Sequence, residues 1–305
     1  MKSDLLSQLE ERLPTLSKSQ RRIAAYLLEH YDQAAYLTAA KLGGQLQISE
    51  STVVRFAAEF GYSGYPALQE ALQELSRANL TATQRMAVAD QRIREGDELS
   101  RVLTDDAERI RLTLESIDRA AFDAATGQII AAKRIYIVGM RSSAALAAFL
   151  HFQLRMIFDS VVLIQTASGS ELYEQLLHMT KDDLLIAISF PRYSTSVVRA
   201  VDFAHRVSAG ILSITDGPQS PIAAKADQVL SARSDMVFFA DSLVAPLSVI
   251  NALIAAVARC KKEEIAARLD RLETVWHDHG VYETRSAQRP DEQDGTHPER
   301  DGGHV

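Results

Sequence analysis

Apolar residues in the first 78 positions recur at three- and four-residue spacing, the mark of helices that each bury one face. Ile23, Ala24, Leu27 and Leu28 form one such stripe behind Ser17, and the spacing predicts a helix from Ser17 to about Tyr31. Val53, Phe56, Ala57 and Phe60 form another, with Gly61 where a left-handed terminating residue is expected. Thr38 and Ser49 carry short side-chain oxygens that can accept from the first free amides of a helix, so two helix starts lie eleven residues apart. Residues 38 to 65 therefore read as two short helices around a tight turn, with Ser51, Thr52, Arg55 and Glu59 facing outward on the second. A further helix is expected from Ala67 to Arg77.

The pattern then weakens and changes period. Residues 79 to 96 are polar and weakly patterned and read as a linker, followed by two amphipathic helices between Asp97 and Ala132. Five short β-rich runs come next: Arg134 to Gly139, Ser160 to Gln165, Asp183 to Ser189, Gly210 to Thr215 and Asp227 to Ala232. Helical stretches separate the first four. Such alternation predicts a parallel sheet with helices on both faces, and the continuous apolarity of the runs fits burial on both sides. An apolar helix after residue 242 and an amphipathic one after it complete the ordered chain, and the Arg-, Asp-, Gly- and Pro-rich residues from 283 read as a disordered tail.

A chain of 305 residues with 47% hydrophobic content is long enough for two cores of ordinary size. Its formal charge of −7 argues against coating nucleic acid indiscriminately. Residues 1 to 78 hold eight cations against nine acids, so any basic footprint must come from local placement. The single cysteine, Cys260, excludes an internal disulfide and reads as a buried thiol. The first residues are amphipathic and acidic, unlike a signal peptide, and no apolar run reaches membrane length. The expectation is a cytosolic protein.

A major groove admits a helix whose first turns carry small hydroxyls and a long donor. Ser51, Thr52 and Arg55 supply that set; an ordinary helical hairpin with a solvated face is the alternative. The run Ile48-Ser49, Thr52-Val53-Val54-Arg55-Phe56 and Gly61-Tyr62-Ser63-Gly64-Tyr65 resembles the RpiR/MurR family of bacterial transcriptional regulators, which join an N-terminal helix-turn-helix domain to a C-terminal sugar isomerase (SIS) domain. By that resemblance Ser51, Thr52 and Arg55 fall on the recognition helix at its Ser49 start, with Lys41 and the 61 to 65 turn near the DNA backbone.

In open parallel sheets ligands sit beyond the carboxyl ends of the strands, where helix N-termini favour anions. The loop after the first strand reads Gly139-Met140-Arg141-Ser142-Ser143, and that after the third Ser189-Phe190-Pro191-Arg192-Tyr193-Ser194-Thr195. Their hydroxyls can bind an anion or simply cap the helices that follow. SIS domains resemble this with Gly-x-Gly-x-Ser and Ser-x-Ser-Gly-x-Thr, both of which bind a sugar phosphate. Gly139, Ser143, Ser189 and Ser194 match. Arg141 stands where a second glycine is common, and Pro191 and Arg192 replace the Ser-Gly pair. The expectation is a narrower, more cationic pocket in which Arg141 and Arg192 converge on an anionic effector, against the alternative that each makes a structural salt bridge. Ser168 and Ser170 are secondary candidates, and the Ile214-Thr215-Asp216 and Ser220-Pro221-Ile222-Ala223 runs read as fold-defining.

Isomerase chemistry would need a base beside the sugar carbons. Glu171 is the best placed; His151, His178 and His205 read as packing or surface residues, and His277-Asp278-His279 is weak as a metal site. No catalytic residue, cofactor or metal is expected. The reading is an N-terminal all-α helix-turn-helix domain (1–78), a linker (79–96), an α/β SIS domain (97–282; doubly wound, five-stranded parallel sheet, flavodoxin-like) and a tail (283–305). Its expected partners are a double-stranded DNA operator and an anionic small-molecule effector, with no membrane, in a homodimer or dimer of dimers. A phosphosugar isomerase with a helical extension and a helical protein-binding adaptor are the other classes.

Overall fold

The computed structural model describes residues 3–77, 86, 97–165, 168–237 and 241–282. The expected linker, Met86 apart, and the expected tail lie outside these. The chain divides into a unit over residues 1–262 and a second from 263 onward.

The first unit opens with α1 (Ser3–Arg12), a 3-10 turn (Leu13–Thr15), α2 (Lys18–Ala34), α3 (Ala39–Leu46), α4 (Glu50–Glu59) and α5 (Tyr65–Arg77). Ser17 and Gln20 close a reciprocal capping box at the start of α2, satisfying two backbone amides that the helix itself leaves unpaired. The expected stripes meet in one core: Leu9, Ile23, Leu27, Leu42, Val53, Phe56, Leu68 and Leu72 are each 0% exposed. α5 begins two residues earlier than its apolar pattern suggests. Its Tyr65 hydroxyl and Gln69 amide donate to the Leu37 carbonyl at 2.8 and 2.9 Å, and Gln73 donates to Ala35 O at 2.9 Å. These bonds satisfy carbonyls in the α2–α3 turn that no helix or strand would pair. Burial, then the nearby Tyr26, pushes the Tyr65 hydroxyl up to about 12, so it keeps its proton.

After α6 (Glu98–Ser116) and α7 (Arg119–Ala131) come β1 (Ile135–Gly139), α8 (Ser143–Arg155), β2 (Val161–Ile164), α9 (Gly169–Leu176), β3 (Leu184–Ile188), α10 (Thr195–Arg206), β4 (Gly210–Thr215), β5 (Gln228–Ser231) and α11 (Val244–Cys260). All five strands fall within one residue of the expected bounds, and they pair in parallel in the order β2-β1-β3-β4-β5. Period-two alternation splits the sheet between two cores. Ile135, Ile137, Leu184, Ile186, Ile188 and Leu212 turn to α7, α8 and α11. Tyr136, Val138, Leu185, Ala187 and Ile211 turn to α9 and α10. This is the doubly wound, flavodoxin-like arrangement expected, and it brings the carboxyl ends of β1 and β3 side by side.

Cys260 is exposed, not buried. It is the last residue of α11, past Val257, where the buried stripe of that helix ends. α12 (Lys262–Asp278), which from Glu263 on belongs to the second unit, buries no residue and is followed by Tyr282 set edge-on against Trp276. Among the described residues no single helix is long and apolar enough to cross a membrane, and no cluster of three or more His, Cys, Asp or Glu could hold a metal ion.

Ile186 sits mid-strand at the sheet centre with no exposed surface. Ile186→Ala is expected to destabilise the unit by about 2–5 kcal/mol through lost burial and a residual cavity, read as a lower urea midpoint at unchanged slope.

Candidate functional site

Two regions of the first unit gather the residues singled out in the sequence. In the helical region, α3 and α4 meet at a turn whose closeness depends on Gly43. A Cβ there would lie 2.6 Å from the Ile48 carbonyl, and the Ile48 amide donates to Gly43 O at 2.8 Å. Only glycine lets the two backbones approach this far. Thr38 caps α3 as expected, accepting from the Lys41 amide at 3.2 Å. Ser49 occupies the N-cap position of α4 but makes no side-chain cap bond. Its hydroxyl instead bonds Thr52 Oγ1 at 2.8 Å and Ser51 Oγ at 3.0 Å. Three hydroxyls at one helix start bond one another, while the Thr52 and Val53 amides donate to the Ser49 carbonyl at 2.9 and 3.3 Å.

Gly61 ends the helix at φ 84, the left-handed conformation anticipated for it. Ser51 and Arg55 are exposed and Thr52 half-buried, with Arg55 Nε donating back to Ser51 O at 3.3 Å. Lys41 is exposed on α3. Glu59 also faces outward but is engaged: Gln20 donates to its carboxylate. Arg12 donates to the Glu59 carbonyl at 3.1 Å and lies 4.4 Å from the centre of the Phe60 ring. A cation at a helix C-terminus meets the negative end of the dipole, and the aromatic face adds to the attraction. The last turn of α4 is thus fastened to α1 and α2, while Ser51 and Arg55 on its first two turns stay exposed opposite the buried Val53 and Phe56. Sequence reading missed Gly43, Arg12 and Gln20, because each acts on residues distant in the chain or through the absence of a side chain.

The second region lies at the carboxyl edge of the sheet. Gly139 and Ile188 are register partners, so the loops that follow β1 and β3 leave from adjacent points. Gly139 has no room for a side chain: a Cβ would meet Ser143 O at 2.5 Å and Ala147 Cβ at 2.9 Å. That contact seats the first turn of α8 against the strand end. Arg141 adopts φ 57 and Arg192 φ 65, both in the left-handed region that side chains avoid. These are the two positions where glycine is usual in SIS loops. The loop shape is therefore kept while the side chain is long and cationic, at a backbone cost on the order of 1 kcal/mol or more each. Both arginines are exposed.

Ser142 and Ser194 stand at the N-cap positions of α8 and α10, yet neither hydroxyl makes a cap bond. Ser189 is buried, and its hydroxyl accepts from the Ser194 amide at 3.4 Å. Ser143 is buried in the first turn of α8, and Thr195 is exposed in that of α10. Tyr193 donates to both carboxylate oxygens of Asp216, at 2.9 and 3.0 Å, and Thr215 donates to the same group at 3.0 Å. Asp216, read from the sequence as fold-defining, so ties the end of β4 to the β3 loop. A Tyr and an Asp 23 residues apart gave no local signal.

Ser168 caps α9 through the Glu171 amide at 3.3 Å and lies 3.3 Å from Ser170 Oγ. Glu171 is in the first turn of that helix, where a carboxylate complements the dipole. His151 is half-buried on α8, where burial, and then the Arg155 guanidinium, hold it below the ordinary imidazole range. His178 and His205 are exposed on other elements.

These two regions coincide with two family models: a helix-turn-helix domain of the rpiR family over residues 3–78 and a SIS domain over 128–256. The HTH-type transcriptional regulator HexR of Pseudomonas aeruginosa is 27% identical over 281 residues, covering 88% of this chain and 94% of that protein. The sugar isomerase domain of an RpiR transcription factor from Sphaerobacter thermophilus is 30% identical, with a TM-score of 0.56 over 58% of this chain and 99% of that one. The NanR protein of Vibrio vulnificus, solved in complex with ManNAc-6P, shares the fold at 22% identity and a TM-score of 0.56, covering 90% of this chain and 98% of that one. With a helix-turn-helix domain followed by an α/β domain of SIS topology, the chain belongs to the RpiR family of helix-turn-helix transcriptional regulators.

Proposed function

We propose that this regulator reads an operator through Ser51, Thr52 and Arg55 at the free end of α4, with Lys41 and Ser49 on the flanking phosphates, and that an anionic sugar derivative bound between the β1 and β3 loops alters that reading. The observation that carries the effector half is the pair of left-handed arginines. A strained backbone bearing an exposed cation is retained where a function returns the energy, and two such residues flank one strand register pair. Ser142, Ser143, Ser189, Ser194 and Thr195 add hydroxyls and helix-start amides around the same point, with Gly139 beneath, a donor set suited to phosphate or carboxylate oxygens. The fold is also that of NanR, which is complexed with a phosphorylated sugar.

The domain division follows the same reading: helix-turn-helix over 1–78, a linker over 79–96 and the effector domain over 97–282. The protein works as a two-fold oligomer, since operators with two-fold symmetry are read by two-fold proteins. The effector domain binds without turning its ligand over. Glu171 and the three histidines are spread over α8, α9, α10 and the residues after α9, and neither arginine loop carries a carboxylate or imidazole that could act as a base.

Three outcomes follow from this reading. In a thermal-shift screen of phosphorylated and acidic sugars, a ligand at 100 times its Kd stabilises the wild type by about 2.7 kcal/mol. Arg141→Ala and Arg192→Ala each lose most of that response; an undiminished response in both removes the arginines from the site. Arg192→Gly relaxes the left-handed backbone and raises the ligand-free stability by roughly 1 kcal/mol while still losing the ligand response. In mobility-shift titrations on DNA upstream of its own gene, Arg55→Ala weakens specific binding by about 1–3 kcal/mol, and an equal loss on unrelated DNA reassigns Arg55 to the phosphates.

A further inference from the structure

Within the first unit α5 and α6 border a common cavity of about 400 Å³, whose wall also includes Arg233, Asp235 and Met236 from the residues after β5. Small-molecule sites run from about 300 to 1,000 Å³, so the space is ligand-sized. None of its lining residues belongs to the loops after β1 and β3.

On the α6 wall stands Arg109, only 7% exposed. Its Nη1 donates to Asp106 Oδ1 at 2.9 Å, while Nε has no hydrogen-bond partner among the described residues. Asp235 Oδ2 lies 3.9 Å from Nε, beyond hydrogen-bond reach. Asp106 Oδ1 also takes the Ser242 hydroxyl at 2.6 Å, so it is already shared. A guanidinium carries five N–H donors, and a nearly buried one with most of them unmet is suited to an acceptor entering the cavity.

The α5 wall has the opposite character. Glu70 is exposed and makes no hydrogen bond or ion pair among the described residues. Gln69 and Gln73 donate their amides to Leu37 O and Ala35 O, so what they chiefly offer the cavity is oxygen. Pro66, Leu112 and Met236 add apolar surface. A simple anion would meet the carboxylates of Glu70, Asp105, Glu108 and Asp235 in the same wall, and a simple amine would leave Arg109 unmet. A small molecule with an acid at one end and an ammonium at the other satisfies both.

We propose that the α5–α6 cavity is a second ligand site, for a small zwitterion of amino-acid type, with its carboxylate on Arg109 and its ammonium on Glu70 at the mouth. The site does not depend on the anion site between the β1 and β3 loops. Because Gln69 and Gln73 also hold the α2–α3 turn, the ligand rests on residues that fix the helix-turn-helix.

The test uses the full chain without DNA. Free α-amino acids and short ω-amino acids are screened by thermal shift, and the best is titrated by calorimetry. The expected result is saturable one-site binding that falls by about tenfold or more when the same molecule is N-acetylated or when its carboxylate is converted to an amide. Glu70→Gln, at an exposed position, weakens binding by a similar factor, and Leu112→Trp, at a half-buried position in the wall, abolishes it by filling the cavity. Arg141→Ala leaves it unchanged. Should Leu112→Trp fail to fold, Glu70→Gln and the two blocked derivatives decide the matter. No saturable binding at millimolar concentration overturns the proposal, as does a blocked derivative that binds as well as its parent or binding that survives Glu70→Gln undiminished. Binding lost in Arg141→Ala places the ligand between the β1 and β3 loops and also overturns it. A protein that takes up an amino acid with the expected dependences but answers no acidic or phosphorylated sugar keeps this site and loses the other.

Discussion

The contact between the end of β1 and the start of α8 is the constraint on which the geometry of the candidate anion site depends. With Ser143 O at 2.5 Å from where a Cβ of Gly139 would be, the helix can start no nearer and the strand can carry no side chain there. Because Gly139 is paired in register with Ile188, fixing α8 on β1 also fixes where the first loop stands relative to the third. The sheet register then does the rest. Two loops that are fifty residues apart in sequence are held as neighbours by backbone hydrogen bonds that cannot slip without turning every core side chain to the wrong face.

The helix-turn-helix region obeys a different economy. Its core is small and made of five helices and a turn, so orientation comes from polar ties at the edges as much as from apolar packing. Gln69, Gln73 and Tyr65 hold the α2–α3 turn, Gly43 sets the spacing of α3 and α4, and Arg12 and Gln20 hold the last turn of α4. Each tie satisfies a backbone or side-chain group that the helices leave unpaired, which is why a region with nearly balanced charge needs no further cations to hold its shape.

Much of this was legible in the sequence because burial on both faces of a parallel sheet leaves a strong mark: runs such as Leu184 to Ile188 have no polar position to blur their ends. Helix starts were legible where a hydroxyl has one local use, as at Ser17 and Thr38. They were not where several hydroxyls compete, as at Ser49, whose partners are Ser51 and Thr52 and not the helix amides. The left-handed backbone at Arg141 and Arg192 had no local signal, since propensity argues against it; only comparison with the glycine pattern drew the eye to those positions. The Tyr193–Asp216 bond and the Arg12 clamp are products of tertiary contact, and the exposure of Cys260 depends on how far α11 outruns the core beneath it.

α4 is held along its length: α3 closes on its Ile48–Glu50 start over Gly43, Val53 and Phe56 are fully buried behind its outer edge, and Arg12 and Gln20 hold its last turn. A rod clamped at both ends and along one side has little freedom to bend or roll. The hydroxyls and the guanidinium on its open edge therefore keep a fixed spacing, and a mismatched surface must itself deform to meet them.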